Sequence, residues 1–322
     1  MHKIMGELYR DGFAGISVPG FDLGDRKWVA KKGLDVIDLC SAESDPAGDI
    51  GRLLTTTLAP ELETQTNPTE FGVRGPRNTT DPKTYLHIGY QTVRRVLSAD
   101  KKLVPSALRE LASVLPDALD ALTDAWKVTM IELGISEQLM SDLMPDDRML
   151  RVVVLRALQY HNFAEIGLWD EVFQPHADLG LGTIELFKSD EQVFKSIPLA
   201  PSLLQGEYDP VRIKTIADMY TRNARYLPRM IGNGAFFLLS AGWYGLHPDA
   251  KGTGIPADLP VGFHGGHKDY EGVLDSRDND FATRANLVAF FHPSLKVLVE
   301  ESQPNPIYTV PSVATCRPFS QR

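Results

Sequence analysis

The chain has 322 residues, 43% of them hydrophobic, and a formal net charge of −9. That is a globular composition with enough length for a sizeable core, and the acidic balance, with no basic run of five or more residues, argues against nucleic acid as a partner. Cys40 and Cys316 are the only cysteines, which excludes a disulfide framework and a cysteine-built zinc site, and no apolar run approaches the ~18 residues of a membrane span.

The segment Met1–Glu7 has no apolar stretch of the secretory kind, so the expectation is a soluble, cytoplasmic protein with no membrane partner. Further on, Asp35-Val36-Ile37-Asp38-Leu39 reads as a short strand. Residues 43–84 are rich in Thr, Pro, Asn and Gly and read as a long loop or cover, with a tight turn at Arg74-Gly75-Pro76-Arg77.

The clearest helical signal is in residues 106–133. Leu108, Leu111, Leu115, Leu119, Leu122, Trp126, Met130 and Leu133 form one apolar stripe at the helical period. Pro116 is expected to break or kink this helix, and Gly134 to stop it. The stripe is a packing face, so Trp126 and Met130 read as core residues.

From residue 148 the texture changes to short β-type runs: Arg151–Leu158, Thr183–Phe187, Gly234–Leu239, Pro260–His264 and Ala285–Phe291. Gly and Pro clusters separate them, which predicts a sandwich or barrel. Residues 209–225 read as a helical insertion. Strands and long helices do not alternate, which argues against a doubly wound sheet. The expected organisation is a single domain over 1–322. It comprises an N-terminal helical and loop region over about 1–147, a β core over about 148–300 and a C-terminal extension over 301–322.

The eight histidines carry the chemistry. Two His-x-Asp triplets occur, His176-Ala177-Asp178 and His247-Pro248-Asp249. On a strand, positions i and i+2 share a face and can hold one cation together. The first triplet leads through glycines into an alternating strand, Thr183-Ile184-Glu185-Leu186, whereas Pro and Gly surround the second, which reads as a turn. A third ligand from far along the chain is offered by His264 or His267, in Val261-Gly262-Phe263-His264-Gly265-Gly266-His267. Two histidines and one carboxylate with open positions form the facial triad of non-haem Fe(II) oxygenases.

With these pieces the chain resembles the 2-oxoglutarate/Fe(II)-dependent dioxygenases, in particular their isopenicillin N synthase-like branch. The resemblance rests on His176-Ala177-Asp178, on His264 or His267, and on Arg284-Ala285-Asn286 leading into Leu287-Val288-Ala289-Phe290-Phe291. Looser likenesses are Asp35–Leu39, Thr84–Tyr90 and Leu155-Arg156-Ala157-Leu158-Gln159-Tyr160. Asn286 stands where the family usually has serine.

The resemblance implies a mainly β fold with flanking helices around a double-stranded β-helix, or jelly-roll, core. It implies Fe(II) held by His176, Asp178 and His264, with His267 as the alternative distal ligand. It also implies 2-oxoglutarate as co-substrate, its distal carboxylate on Arg284 with Asn286 and Tyr160, and O2 at the remaining metal position. The expected activity is oxidation of an unactivated C–H bond by hydroxylation, desaturation or cyclisation. A small natural-product or amino-acid-derived substrate would be met by Arg74, Arg77, Trp243 and Tyr244. Two other readings stay open: an Fe(II)/O2 oxidase of the same family that uses no 2-oxoglutarate, and a non-catalytic jelly-roll protein that binds a small molecule.

Overall fold

The computed structural model describes residues 3–41, 49–54, 72–74, 83–102, 104–160, 171–178, 180–189, 194–203, 210–241, 256, 258–267 and 284–294. The N-terminal half supplies α1 (Lys3–Asp11), β1 (Ala14–Ser17), α2 (Leu23–Ser41), α3 (Asp49–Leu54), β2 (Gly72–Arg74) and β3 (Lys83–Ile88). Three further helices follow, α4 (Tyr90–Ser98), α5 (Ser106–Glu132) and α6 (Glu137–Leu143). The remainder comprises β4 (Val152–Tyr160), β5 (Glu171–His176), β6 (Gly182–Lys188), β7 (Phe194–Leu199), α7 (Pro210–Asn223), β8 (Arg225–Tyr226), β9 (Gly234–Leu239), β10 (Val261–His267) and β11 (Arg284–His292).

The strands form two antiparallel sheets, ordered β1-β9-β6-β11-β4-β3-β2 and β5-β10-β7-β8. From β4 to β7 the chain changes sheet at every step, and β9, β10 and β11 alternate again. This is the double-stranded β-helix. The strands read from the sequence after residue 148 all exist, with Gly234–Leu239 reproduced to the residue and the helical insertion present as α7.

Alternation sorts the side chains of the larger sheet. Val154, Leu158, Phe236, Leu238, Val288 and Phe290 belong to one cluster, which includes Phe194 from the smaller sheet and fills the space between the sheets. Val153, Leu155, Ala157, Leu287, Ala289 and Phe291 face the other way and join the helices in a second cluster. There Trp126 of α5 stacks on Phe291, with ring centroids 5.2 Å apart and planes 7° from parallel.

Every residue of the stripe from Leu108 to Leu133 is buried. Pro116 neither breaks the helix nor ends it: α5 runs through it without interruption. Proline removes one amide donor and crowds one carbonyl, and the continuous buried stripe on both sides outweighs that cost. Gly134 ends the helix at φ 101°, the left-handed conformation that suits glycine, and its N–H donates to the Ile131 carbonyl at 2.9 Å.

Two expectations need correction. Asp35–Leu39 is not a strand but part of α2. The buried set Val29, Ala30, Val36 and Ile37 has helical spacing and covers the outer face of the larger sheet. At Gly33 a Cβ would lie 2.5 Å from the Ala157 Cβ, so the helix meets β4 through that glycine. Nor is 43–84 wholly loop, since α3, β2 and the start of β3 lie within it. The fully buried Arg26 fastens α2 to the larger sheet, donating to the carbonyls of Gly234 at 2.6 Å and Asn233 at 3.0 Å. Burial lowers its pKa to about 10. Among the described residues no helix is long and apolar enough to cross a membrane.

Replacing Trp126 by alanine removes the largest fully buried side chain among the described residues. The expected cost is about 3–5 kcal/mol, to be read as a lowered midpoint with unchanged slope in urea unfolding.

Candidate metal centre

His176 is the last residue of β5, and Asp178 follows two residues later, beyond the strand. In β10, His264 is the direct antiparallel partner of His176. Pairing of β5 with β10 therefore brings together histidines far apart in sequence. The three side chains offer donor atoms that all lie within 4.8 Å of one another. His176 Nε2 is 3.5 Å from Asp178 Oδ1, and His264 Nε2 is 3.6 Å from Asp178 Oδ2. The two imidazole centroids are 4.6 Å apart.

Neighbouring groups fix each donor. His264 Nδ1 lies 3.0 Å from the Gly262 carbonyl. A proton on Nδ1 satisfies that bond and leaves Nε2 with its lone pair directed at the cluster. The Thr183 hydroxyl of β6 donates to Asp178 Oδ2 at 2.6 Å, and the Ser240 hydroxyl is 3.3 Å from Thr183 Oγ1. The Asp178 carbonyl accepts the Ala241 N–H at 2.8 Å. Phe194 of β7 stacks on His264 at 4.8 Å. Side-chain exposure falls from 29% at His176 to 11% at Asp178 and 5% at His264, so the cluster opens on the His176 side.

The electrostatics suit cation binding. Burial opposes ionisation of Asp178, but His264, His176 and the Thr183 hydroxyl outweigh it and hold the carboxyl well below its ordinary range. Burial pushes His264 down to about 4, against the pull of Asp178. At neutral pH the cluster is thus one carboxylate and a neutral buried imidazole, the protonation states a divalent metal requires.

The structure places the other candidate residues as follows. His267 ends β10, three residues beyond His264 and paired with Glu171. Arg284 opens β11, where its backbone partner is Tyr160, the last residue of β4. Asn286 is buried two residues further on, between Leu158 and Lys188 on the flanking strands. Arg74 ends the edge strand β2, paired with Tyr85. Arg77, Trp243, Tyr244 and the His247-Pro248-Asp249 triplet lie outside the described residues.

Sequence reasoning missed five polar groups of the interior: Thr183, Ser240, Arg156, Glu185 and Lys188. The Arg156 guanidinium lies 4.2 Å from the Phe290 ring centroid and 4.9 Å from that of Tyr85, and its Nε–H donates to His87 Nε2. Glu185 is buried and has Lys188 Nζ 3.7 Å from its Oε2. Thr183 and Glu185 were discoverable, because they are the polar members of an alternating strand that begins just after Asp178.

Fold and donor set together define a class: a double-stranded β-helix with two histidines and one carboxylate convergent between its sheets. No protein-family model matches the sequence, and no curated protein matches it. Solved structures do share the fold. A full-length Neurospora crassa protein in complex with α-ketoglutarate and 5-formyluracil aligns at TM-score 0.53 and 13% identity, over 90% of this chain and 77% of that one. The same protein with α-ketoglutarate alone gives TM-score 0.51 at the same identity and coverage. A rice dioxygenase for auxin oxidation gives 0.48 at 13% identity, over 89% of this chain and 76% of that one.

The buried His264 and the half-buried His292 also set an acid limit. Burial lowers both His264 and His292 to about 4, from an ordinary value of 6.5. Between those values the unfolded chain binds protons that the folded chain does not, so stability falls as pH drops from about 6.5 to about 4. Urea midpoints of the metal-free protein should decline through that window, and His292→Gln should make the decline shallower.

Proposed function

We propose that the protein is a non-haem Fe(II)- and 2-oxoglutarate-dependent oxygenase that oxidises an unactivated C–H bond of a small molecule. The observation that carries this reading is the convergence of His176, Asp178 and His264 between the two sheets, with donor atoms within 4.8 Å of one another. Those residues fit a divalent iron: two imidazole nitrogens and a carboxylate already ionised form a three-donor set. His264 is assigned as the distal ligand in preference to His267.

The bound iron would supply oxygen activation and the oxidising power. The chain's own residues do the rest. Thr183 occupies one lone pair of Asp178 Oδ2 and fixes the carboxylate's rotation. The Gly262 carbonyl fixes the tautomer of His264. Arg284, with Asn286 beside it and Tyr160 across the ladder, takes the distal carboxylate of the co-substrate; a guanidinium suits this because it stays charged and binds carboxylate through two parallel hydrogen bonds. The apolar residues between the sheets exclude water.

The Neurospora crassa protein of the same fold was solved with α-ketoglutarate, which supports the choice of co-substrate. The substrate is proposed as a natural-product or amino-acid-derived molecule, met by Arg74, Arg77, Trp243 and Tyr244.

Two measurements test the reading. Anaerobic Fe(II) titration should show one site, lost in His176→Ala, Asp178→Ala and His264→Ala and kept in His267→Ala. Retention in His264→Ala with loss in His267→Ala would reverse the distal assignment. Oxygen-dependent conversion of 2-oxoglutarate to succinate should then require the bound iron. Substrate turnover that persists without 2-oxoglutarate would make the protein an oxidase, and absence of any iron site would make it a binding protein.

A further inference from the structure

The barrel interior holds a buried ion pair that the metal triad does not use. Lys188 and Glu185 both project between the sheets, with side chains only 6% and 5% exposed and 3.7 Å between Nζ and Oε2. Simple alternation would not bring them there together, since they are an odd three positions apart. A bulge does. Along β6, Glu185 pairs with Val288, but Phe187 pairs with Leu287 and Lys188 with Asn286, so the strand carries one extra residue beside β11. The extra residue flips the alternation and turns Lys188 back to the face of Glu185 and Thr183.

The bulge directs Lys188 to a definite place. Its backbone partner on β11 is Asn286, the buried neighbour of Arg284. Its ammonium lies 3.4 Å from the Phe194 ring centroid, and the same ring stacks on His264 at 4.8 Å. The ammonium is therefore no farther from the His264 ring than those two distances combined. A five-carbon dicarboxylate held at the metal through its 2-oxo acid end carries its distal carbon about 4 Å beyond the keto carbon, across three C–C bonds of about 1.5 Å, a reach that falls within that limit. Lys188 also lines a cleft with Lys27 and Arg229.

We propose that Lys188 is a specificity-determining residue for the co-substrate: its ammonium shares the distal carboxylate with Arg284 and selects a dicarboxylate 2-oxo acid over a monocarboxylate one. This rests on the 2-oxoglutarate reading given above. In the unliganded barrel Glu185 supplies the counter-charge for Lys188. When a dicarboxylate enters, the ammonium turns to the ligand and Glu185 keeps the field of Arg156. The bulge is the device that makes this possible, and a strict strand would point Lys188 at the helices.

The test is calorimetric binding of 2-oxoglutarate and 2-oxobutyrate to the full-length, Mn(II)-loaded protein. The wild type should bind 2-oxoglutarate much more tightly, because 2-oxobutyrate lacks the distal carboxylate. Lys188→Met should weaken 2-oxoglutarate by about tenfold to a hundredfold, the loss of one charge-assisted hydrogen bond, and leave 2-oxobutyrate and Mn(II) binding unchanged. Because Lys188→Met strands a buried carboxylate, the double variant Lys188→Met with Glu185→Leu is measured as well; replacing a buried pair with apolar residues preserves folds. It should show the same collapse of selectivity. Undiminished selectivity in both variants would overturn the role of Lys188 while leaving the oxygenase reading intact. Failure of the wild type to bind 2-oxoglutarate would overturn the reading itself and this inference with it.

Discussion

A carboxylate buried between two sheets is the constraint on which the rest depends. Removing an ion from water costs several kcal/mol unless close partners offset it. For Asp178 the partners are two imidazoles and a hydroxyl: His176 from the end of β5, His264 from the middle of β10, and Thr183 from the start of β6. Its own carbonyl holds the chain just after β9 through Ala241. Four segments from both sheets must be in register before that charge is tolerated. The alternation of the chain between sheets creates the place where those segments meet, so the fold and the donor set are two descriptions of one arrangement.

Deeper in the barrel, charge appears again where an ordinary sandwich core would be apolar. Arg156 lies over two aromatic rings, and Glu185 and Lys188 form a pair. Burial pushes the Glu185 carboxyl up, with Lys188 acting in the opposite sense and Asp178 adding to the rise. Such a polar interior is unfavourable as packing alone, because each group must find a partner in a low-dielectric space. Each cation here has a close partner: Glu185 for Lys188, and the Phe290 and Tyr85 rings with His87 for Arg156.

Much of this was legible in the sequence, for identifiable reasons. The long stripe of α5 repeats often enough that only a helix fits it, and the strands after residue 148 are short β-type runs marked off by Gly and Pro. The pairing of His176 with Asp178 is local, so their spacing revealed it. Asp35–Leu39 misled because five residues containing Val36 and Ile37 satisfy either period; the longer set from Val29 to Ile37 decides for a helix. The distal histidine could not be settled locally. His264 and His267 lie three residues apart on β10, and the partner each meets on β5 follows from a register that exists only in the folded sheets.

Lys188 shows where a period-based reading stops. Counted from Thr183 in steps of two, it falls on the outer face of β6, among residues that pack against helices. One extra residue beside Leu287 reverses that assignment. Nothing in Leu186-Phe187 announces the bulge, because both side chains are apolar and both are buried in the outer cluster. The irregularity becomes visible only when β6 is laid against β11, whose own alternation through Asn286, Val288 and Phe290 is unbroken on the inner face. A regular strand thus acts as the ruler for an irregular one. The residue displaced by the mismatch is a lysine, which carries its charge into the interior, beside the ring that covers His264.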